Sequence, residues 1–423
     1  MKIVLVDTPC PELWDDRLEV NLGLLYLATY LKHNGNEVKL VDLRSMPEAS
    51  WKTMIPSDGD IYGFSTYTPT YHITVKIAKI VSEVNENAIL VAGGAHATAL
   101  PIEVIKDFDY VIKGEGEKAM LKLVDSMNAS RCIPRIIDGM PIQNLDEIPF
   151  PDYSLCDIDS YHRTIRGKRC LSVLFSRGCP YACAFCNSIV MGAGKILRFR
   201  SPENFVKEIE CLNELHGIQA FRFQDDLFPY NLSRVKKIAE LLRHLDITYR
   251  CFGRVGSCTR EMAEALVEGG CVHISFGVES GSQRMLDLMN KRQTVQEIRN
   301  GINNAKRAGI VVRVYLIVGF PGESWESVKQ TVDLMLECNP EEFIIYNLIP
   351  YPGTDVFNNP EKYGITFIDR DYSKYLQTAG NHESGYTFKT KSIDRDFIKA
   401  SREFMLDKLL PKIRWAGESQ GFI

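Results

Sequence analysis

Twice along this chain, short apolar runs of strand length alternate with amphipathic segments of helix length, and a proline-bearing stretch separates the two series. This alternation leaves few architectures open, because right-handed crossovers between parallel strands build sheets covered by helices. In the first series the strands are expected at Lys2–Asp7, Glu37–Leu43, Asp60–Tyr67, Ala88–Gly94 and Tyr110–Gly114. Leu24, Leu27, Ala28 and Leu31 share one face of a helix that Asn34-Gly35 ends. The prediction for residues 1–130 is a doubly wound, Rossmann-like α/β domain that takes a ligand at the carboxyl ends of its strands. Pro149 and Pro151 exclude a helix interior, so 131–168 reads as a linker.

The second series places strands at Arg169–Ser176, Ala220–Asp225, Tyr249–Val255, His273–Glu279, Val311–Phe320 and Phe343–Ile349. Six β/α units fall short of the eight that close a barrel, which predicts a (β/α)6 partial TIM barrel over 169–365. Ser201 reads as a helix N-cap with Pro202 in the first turn, and Val235, Ile238, Ala239 and Leu242 form one apolar face. Residues 366–423 read as a small, mostly helical region with a helix over Asp394–Leu410. It is expected to close the open side of the barrel with Tyr372, Tyr375, Tyr386 and Trp415.

Composition narrows the functional classes. The 423 residues are 45% hydrophobic and carry a formal charge of −4, which argues against wrapping a nucleic-acid backbone. The longest apolar stretch, near Val314–Phe320, is too short for a membrane span. The amino terminus meets an acid after four apolar residues, unlike a signal peptide. Twelve cysteines in such a chain fit a reducing cytoplasm better than a disulfide scaffold.

Three of those cysteines form a group. Cys179, Cys183 and Cys186 follow the first strand of the second series with CxxxCxxC spacing. Structural zinc wants a fourth ligand at similar spacing, and the next candidates are Cys211 and His216 in a helix. Three thiolates can instead hold a [4Fe–4S] cluster and leave one iron open for chemistry. Zinc with a distant fourth ligand, a Cys183/Cys186 redox dithiol and plain core cysteines are the alternatives.

This motif on a (β/α)6 barrel resembles the radical S-adenosylmethionine (SAM) enzymes. The resemblance implies that the three cysteines bind the cluster and that SAM chelates its open iron. Reductive cleavage then gives a 5′-deoxyadenosyl radical, with the electron from a donor such as flavodoxin or ferredoxin. It also implies that Phe185 packs beside the adenine, Asp225 or Asp226 meets the methionyl amino group, Glu279 contacts the ribose, and Arg313 pairs with the SAM carboxylate. The Gly319-Phe-Pro-Gly322-Glu323 turn and Tyr351-Pro-Gly353-Thr354 would flank the site. Helix capping, turns and ordinary ion pairs are the plainer roles for these residues. Arg198, Arg200 and Arg254 could meet an anionic substrate or serve structure.

In the first domain, Gly63-Phe-Ser65-Thr66-Tyr67 and Gly93-Gly94 resemble the Ser-x-Leu and Gly-Gly elements of cobalamin-binding domains, with Tyr67 in place of leucine. Leu22–Ala28, Gly93–Pro101 and Gly114–Glu117 look like the cobalamin-binding branch of the radical SAM family, so the resemblance spans residues 1–355. Ser65, Gly93 and Gly94 are the implied cobalamin contacts. The segment Asp7–Trp14 lacks the histidine of the Asp-x-His-x-x-Gly pattern, and a loop hydrogen bond is the expected role of His96. The branch implies a methyltransferase acting on an unactivated carbon or phosphinate centre of a small molecule. A radical cyclase or rearrangement enzyme, and a non-catalytic cobalamin or iron–sulfur sensor, are the alternatives.

Overall fold

The computed structural model describes residues 1–11, 13, 15–191, 195–376 and 385–410, so Trp14 and Trp415 lie outside the described residues. Two compact units result, the first comprising Met1–His162, Asn187–Arg198 and Asp371–Leu376.

In the first unit β1 (Lys2–Asp7), β2 (Glu37–Asp42), β3 (Ile61–Ser65), β4 (Ile89–Gly93), β5 (Tyr110–Gly114) and β6 (Ile136–Gly139) form one parallel sheet in the order β2-β1-β3-β4-β5-β6. Strands buried on both faces read as continuous apolar runs, as Ile3–Val6 and Leu90–Ala92 do here. Leu24, Ala28 and Leu31 of the helix Leu22–His33 pack on one face, and Ile73, Ile77 and Val81 of Tyr71–Val84 pack on the other. The order reverses between β1 and β3, which opens a crevice at the carboxyl ends of those strands. One strand was not anticipated: β6 sits inside the stretch expected to be a linker, and this unit runs on to His162. Its four residues, Ile136–Gly139, carry one buried apolar side chain, too weak a pattern to register as a strand.

The second unit contains Arg163–Cys186, Phe199–Arg370 and, among the described residues, 385–410. Its sheet runs β13-β12-β11-β10-β9-β8-β7. Here β7 is Thr164–Ile165, β8 Lys168–Val173, β9 Ala220–Phe223, β10 Thr248–Gly253, β11 Cys271–Glu279, β12 Val311–Val318 and β13 Glu342–Asn347. The last six are parallel and in sequence order, while β7 turns back antiparallel along β8. The first and last parallel strands are not paired, so the sheet is the expected open barrel. Ser201 caps the helix Pro202–His216 by accepting from the Asn204 N–H, and Val235, Ile238, Ala239 and Leu242 are buried as predicted.

The final helix, Arg395–Leu409, is capped by Asp394 and packs on the helix Trp325–Cys338, where Trp325 meets Phe397 and Phe404 edge-on at 5.8 Å. Tyr372 and Tyr375, expected at the open side of the barrel, group with the first unit. There Tyr372 meets the His96 ring edge-on at 5.1 Å. Tyr386 lies in the second unit beneath Arg395, 5.2 Å from its guanidinium.

Candidate active site

The cysteine loop leaves the carboxyl end of β8, and its entry is fixed by a buried carboxylate. Asp225 accepts hydrogen bonds from the Phe175 N–H at 3.3 Å and from the N–H and hydroxyl of Ser176. Burial pushes Asp225 up to about 6 against these bonds. Asp225 is 1% exposed and its carboxylate is engaged by the loop, whereas its neighbour Asp226 is exposed and acts electrostatically on Cys179. Of the two aspartates expected near the SAM amino group, Asp225 clamps the entry to the loop and Asp226 is the exposed one.

Cys179, Cys183 and Cys186 are half-buried on this loop. Burial pushes the Cys179 thiol up to about 11, and Cys186 and Cys183 add to that shift, so the three sulfurs are electrostatic neighbours. Among the described residues no three Cys, His, Asp or Glu are closed into a ready metal-binding group. The loop therefore presents a donor set and not a preformed cage. Three soft thiols, with no fourth donor closed on them among the described residues, fit a cluster that keeps one iron open. Loading iron must displace the Cys179 proton, so metal uptake should release protons.

Distant segments tie the loop down. The Ala184 N–H donates to Met289 O at 2.9 Å, Asn290 Nδ2 donates to Ala182 O at 2.6 Å, and the Val356 N–H donates to Ala184 O at 3.1 Å. Arg254 covers the Tyr181 ring at 4.0 Å and donates to the carbonyls of Lys291 and Arg292. Arg254 is thus occupied in holding the loop's surroundings.

Beside the loop Glu279 forms an ion pair with Lys291, a residue that no sequence motif marks. Lys291 Nζ is 2.7 Å from Glu279 Oε1 and 5.7 Å from the centre of the Phe185 ring, and both charged residues are buried. Burial works against the ammonium, but Glu279 and Cys183 outweigh it and hold the Lys291 pKa above its usual value. Gly277 makes room: a Cβ there would strike the Glu279 carboxylate and stand 2.9 Å from Lys291 Nζ. The β11–β12 register shifts between Gly277 and Glu279, and Glu279, Asn290 and Arg292 all adopt positive φ (66°, 50° and 49°). Three side-chain-bearing residues in the left-handed region within one neighbourhood is strain of the kind that collects at functional sites. The only sequence cue was the run Asn290-Lys-Arg292 after a short helix, which reads as an ordinary solvated turn.

Two other expectations change. Arg313 is the third residue of β12, close to its amino end, where its guanidinium pairs with buried Glu342. It does not lie with the cysteine loop at the carboxyl end, because strand register and not sequence proximity sets depth in a barrel. Gly319 has a φ of 85° and a Cβ there would meet Ile398 at 2.7 Å, so this glycine admits the final helix. Its N–H donates to Glu323 Oε2 at 2.6 Å.

Burial pushes Glu323 up to about 8, the Gly319 N–H and Arg284 opposing. The folded state keeps a proton that the unfolded chain releases near 4.5, so this contribution is fully present below that pH. It declines by about 1.4 kcal/mol per pH unit until Glu323 ionises. Glu323→Gln keeps an acceptor for Gly319 and is expected to remove that decline in denaturant titrations between pH 5 and 8. An unchanged slope in the variant counts against the assignment.

In the first unit, Ser65 and Gly93 end β3 and β4 side by side in register. Gly94 has a φ of 92° and a Cβ there would lie 2.8 Å from the Thr66 N, so this glycine serves the chain's own crossing. Gly93 differs: its nearest neighbour would be 3.9 Å away, which leaves open surface for a bulky ligand at the crevice. His96 is fully buried, with Nδ1 3.2 Å from Thr68 Oγ1 and its ring 4.3 Å from that of Tyr71, which matches the expected loop hydrogen bond. Asp7 pairs with Arg44 at 3.0 Å, and Arg44 also bridges Asp42 at 2.9 Å, closing the loop after β1 where no histidine stands. Arg198 pairs with Glu115, and in the second unit Arg200 pairs with Glu208, so both arginines are structural.

The sequence model of the Radical SAM superfamily matches residues 173–335, and that of the B12 binding domain matches residues 18–124. An uncharacterised methyltransferase of Pyrococcus horikoshii is 33% identical over 358 residues, covering 79% of this chain and 76% of that protein. An anaerobic magnesium-protoporphyrin IX monomethyl ester cyclase of Rubrivivax gelatinosus is 29% identical, covering 83% of this chain and 67% of that one. The fold is also that of the radical SAM methyltransferase TsrM from Kitasatospora setae, solved with cobalamin and a [4Fe–4S] cluster bound. The two superpose with a TM-score of 0.71 at 17% identity, over 98% of this chain and 90% of TsrM. The chain belongs to the radical SAM superfamily, in the branch that carries a B12 binding domain, and is a cobalamin-dependent radical SAM enzyme.

Proposed function

We propose that this enzyme is a methyltransferase acting on an unactivated centre of a small molecule. The observation that carries the reading is a loop of three half-buried thiols, with no closed metal-binding group among the described residues, in a chain 33% identical to a protein named a methyltransferase. Bound cofactors would supply the difficult chemistry: the cluster and SAM a hydrogen-abstracting radical, the corrinoid a methyl group. The protein supplies attachment, orientation and dryness. Cys179, Cys183 and Cys186 would hold the cluster, and the Asp225 clamp keeps their loop in place. Phe185 would pack on the adenine, and exposed Asp226 would accept from the methionyl amino group. Glu279 would turn one oxygen toward the ribose while Lys291 holds the other. Ser65 and Gly93 would face the corrinoid, with Gly94 shaping the turn beside them.

A one-electron donor such as flavodoxin or ferredoxin, and a cytoplasmic location, follow from the same reading. Among the described residues no helix is long and apolar enough to cross a membrane.

The test is to purify the protein anaerobically, reconstitute it with iron and hydroxocobalamin, reduce it and quantify both SAM-derived products. Methyl transfer requires S-adenosylhomocysteine alongside 5′-deoxyadenosine. Release of 5′-deoxyadenosine alone would overturn the methyltransferase reading and favour a radical cyclase, the activity named for the Rubrivivax relative.

A further inference from the structure

The barrel floor is apolar, built from Ile165, Cys170, Ala220 and Val272. Directly above it the interior is charged. Arg222 and Arg250 stand opposite each other on β9 and β10, and Arg313 stands opposite Glu342 on β12 and β13. Arg250 and Arg313 are two strands apart yet close enough to act on one another electrostatically. Arg163 joins the same field. The carboxylate in this layer, Glu342, is engaged by Arg313 and by His273 at 3.2 Å. His273 adds no charge near neutrality, since burial drives it down to about 4.

Arg250 is the exposed question. It is 4% accessible, and its Nε and Nη2 have no hydrogen-bond partner among the described residues. After burial, the neighbours acting most strongly on it are the like charges of Arg222 and Arg313, and together they lower its pKa to about 10. Its visible support is the Phe252 ring at 5.7 Å, which Arg222 also covers at 5.0 Å. Cation–π contact orients a guanidinium but does not satisfy its N–H donors. A buried guanidinium with open donors, among further cations, matches a forked oxyanion.

We propose that this layer binds an oxyanion of the substrate, a carboxylate or phosphate group gripped by Arg250 with Arg222 and Arg313 beside it. The assignment rests on the barrel being the reaction chamber, and it makes the substrate class acidic. Phe252, Tyr315 and Tyr346 form a stacked ladder beside the charges, 6.5 and 6.0 Å between successive rings.

The probe is inorganic phosphate, added to the full chain at ionic strength matched with sodium chloride and read by thermal unfolding. Phosphate is expected to raise the midpoint of the wild-type protein by about 2–4 °C. Arg250→Met should lose that response, and without phosphate it should melt no lower than wild type, because an unmatched buried charge is gone. Arg250→Lys should keep part of the response and serves if the methionine variant fails to fold. No response in wild type, or an equal one in both variants, overturns the proposal. SAM affinity of the reconstituted protein should stay within about twofold in Arg250→Met; a loss matching the phosphate loss would assign the layer to the SAM carboxylate and overturn it. The phosphate readout needs no methyl transfer, so failure of the methyltransferase reading is seen separately.

Discussion

Replacing Cys183 with alanine is expected to cost this protein its iron and all SAM cleavage while leaving the fold intact. Cys183 is half-buried in a loop whose course is set by Asp225, Met289 O, Asn290 and the Val356 N–H, none of which uses the thiol. Two remaining thiols cannot anchor a cluster that three would hold, so iron content, visible thiolate-to-iron absorption and 5′-deoxyadenosine release should all fall to background. Circular dichroism and the denaturant midpoint of the iron-free proteins should match. Cys211→Ala, in the helix Pro202–His216, is the control and should retain all three signals. Iron retained by the Cys183 variant, or zinc in the wild type after anaerobic preparation, would remove the foundation of the active-site assignment.

The second large effect is expected at Lys291. Changing it to methionine leaves Glu279 buried without its cation, at a residue already in the left-handed region of backbone space. Breaking one side of a buried pair typically costs about 3–5 kcal/mol. Denaturant unfolding of Lys291→Met should show a loss of that order, and SAM binding should weaken with it. The double variant Lys291→Met/Glu279→Gln should regain much of the stability, because the stranded charge is gone, but not the SAM affinity. Full recovery of SAM affinity in the double variant would mean that the pair is only structural. A single-variant loss below about 1 kcal/mol would mean that water reaches the pair and screens it.

These two sites differ in how visible they were. The cysteine loop was legible because its information is local: three sulfurs within eight residues, placed just after an apolar strand. The alternation of strands and helices was legible for the same reason, as were the Ser201 cap and the buried face of Leu232–Leu242. The Glu279–Lys291 pair was not, because the partners stand twelve positions apart across a short helix, and the sharp backbone at Asn290 and Arg292 carries no glycine to announce it. Asp225 was recognised as a residue of interest, but its role was decided by Ser176, 49 positions away. Arg313 was set on the correct strand at the wrong depth, since depth follows from register with β11 and β13.

The amino-acid sequence by itself determined the two α/β series, the open six-stranded barrel and the three-thiol loop, because periodicity and short spacing act between neighbours in the chain. Tertiary structure alone decided which carboxylate clamps the loop, that Lys291 stands beside Glu279, that β6 extends the first sheet, and that arginines from separate strands share one buried layer. Each of those depends on the pairing of segments distant in the chain, and the energy of a charge or a hydrogen bond is fixed by what that pairing places around it.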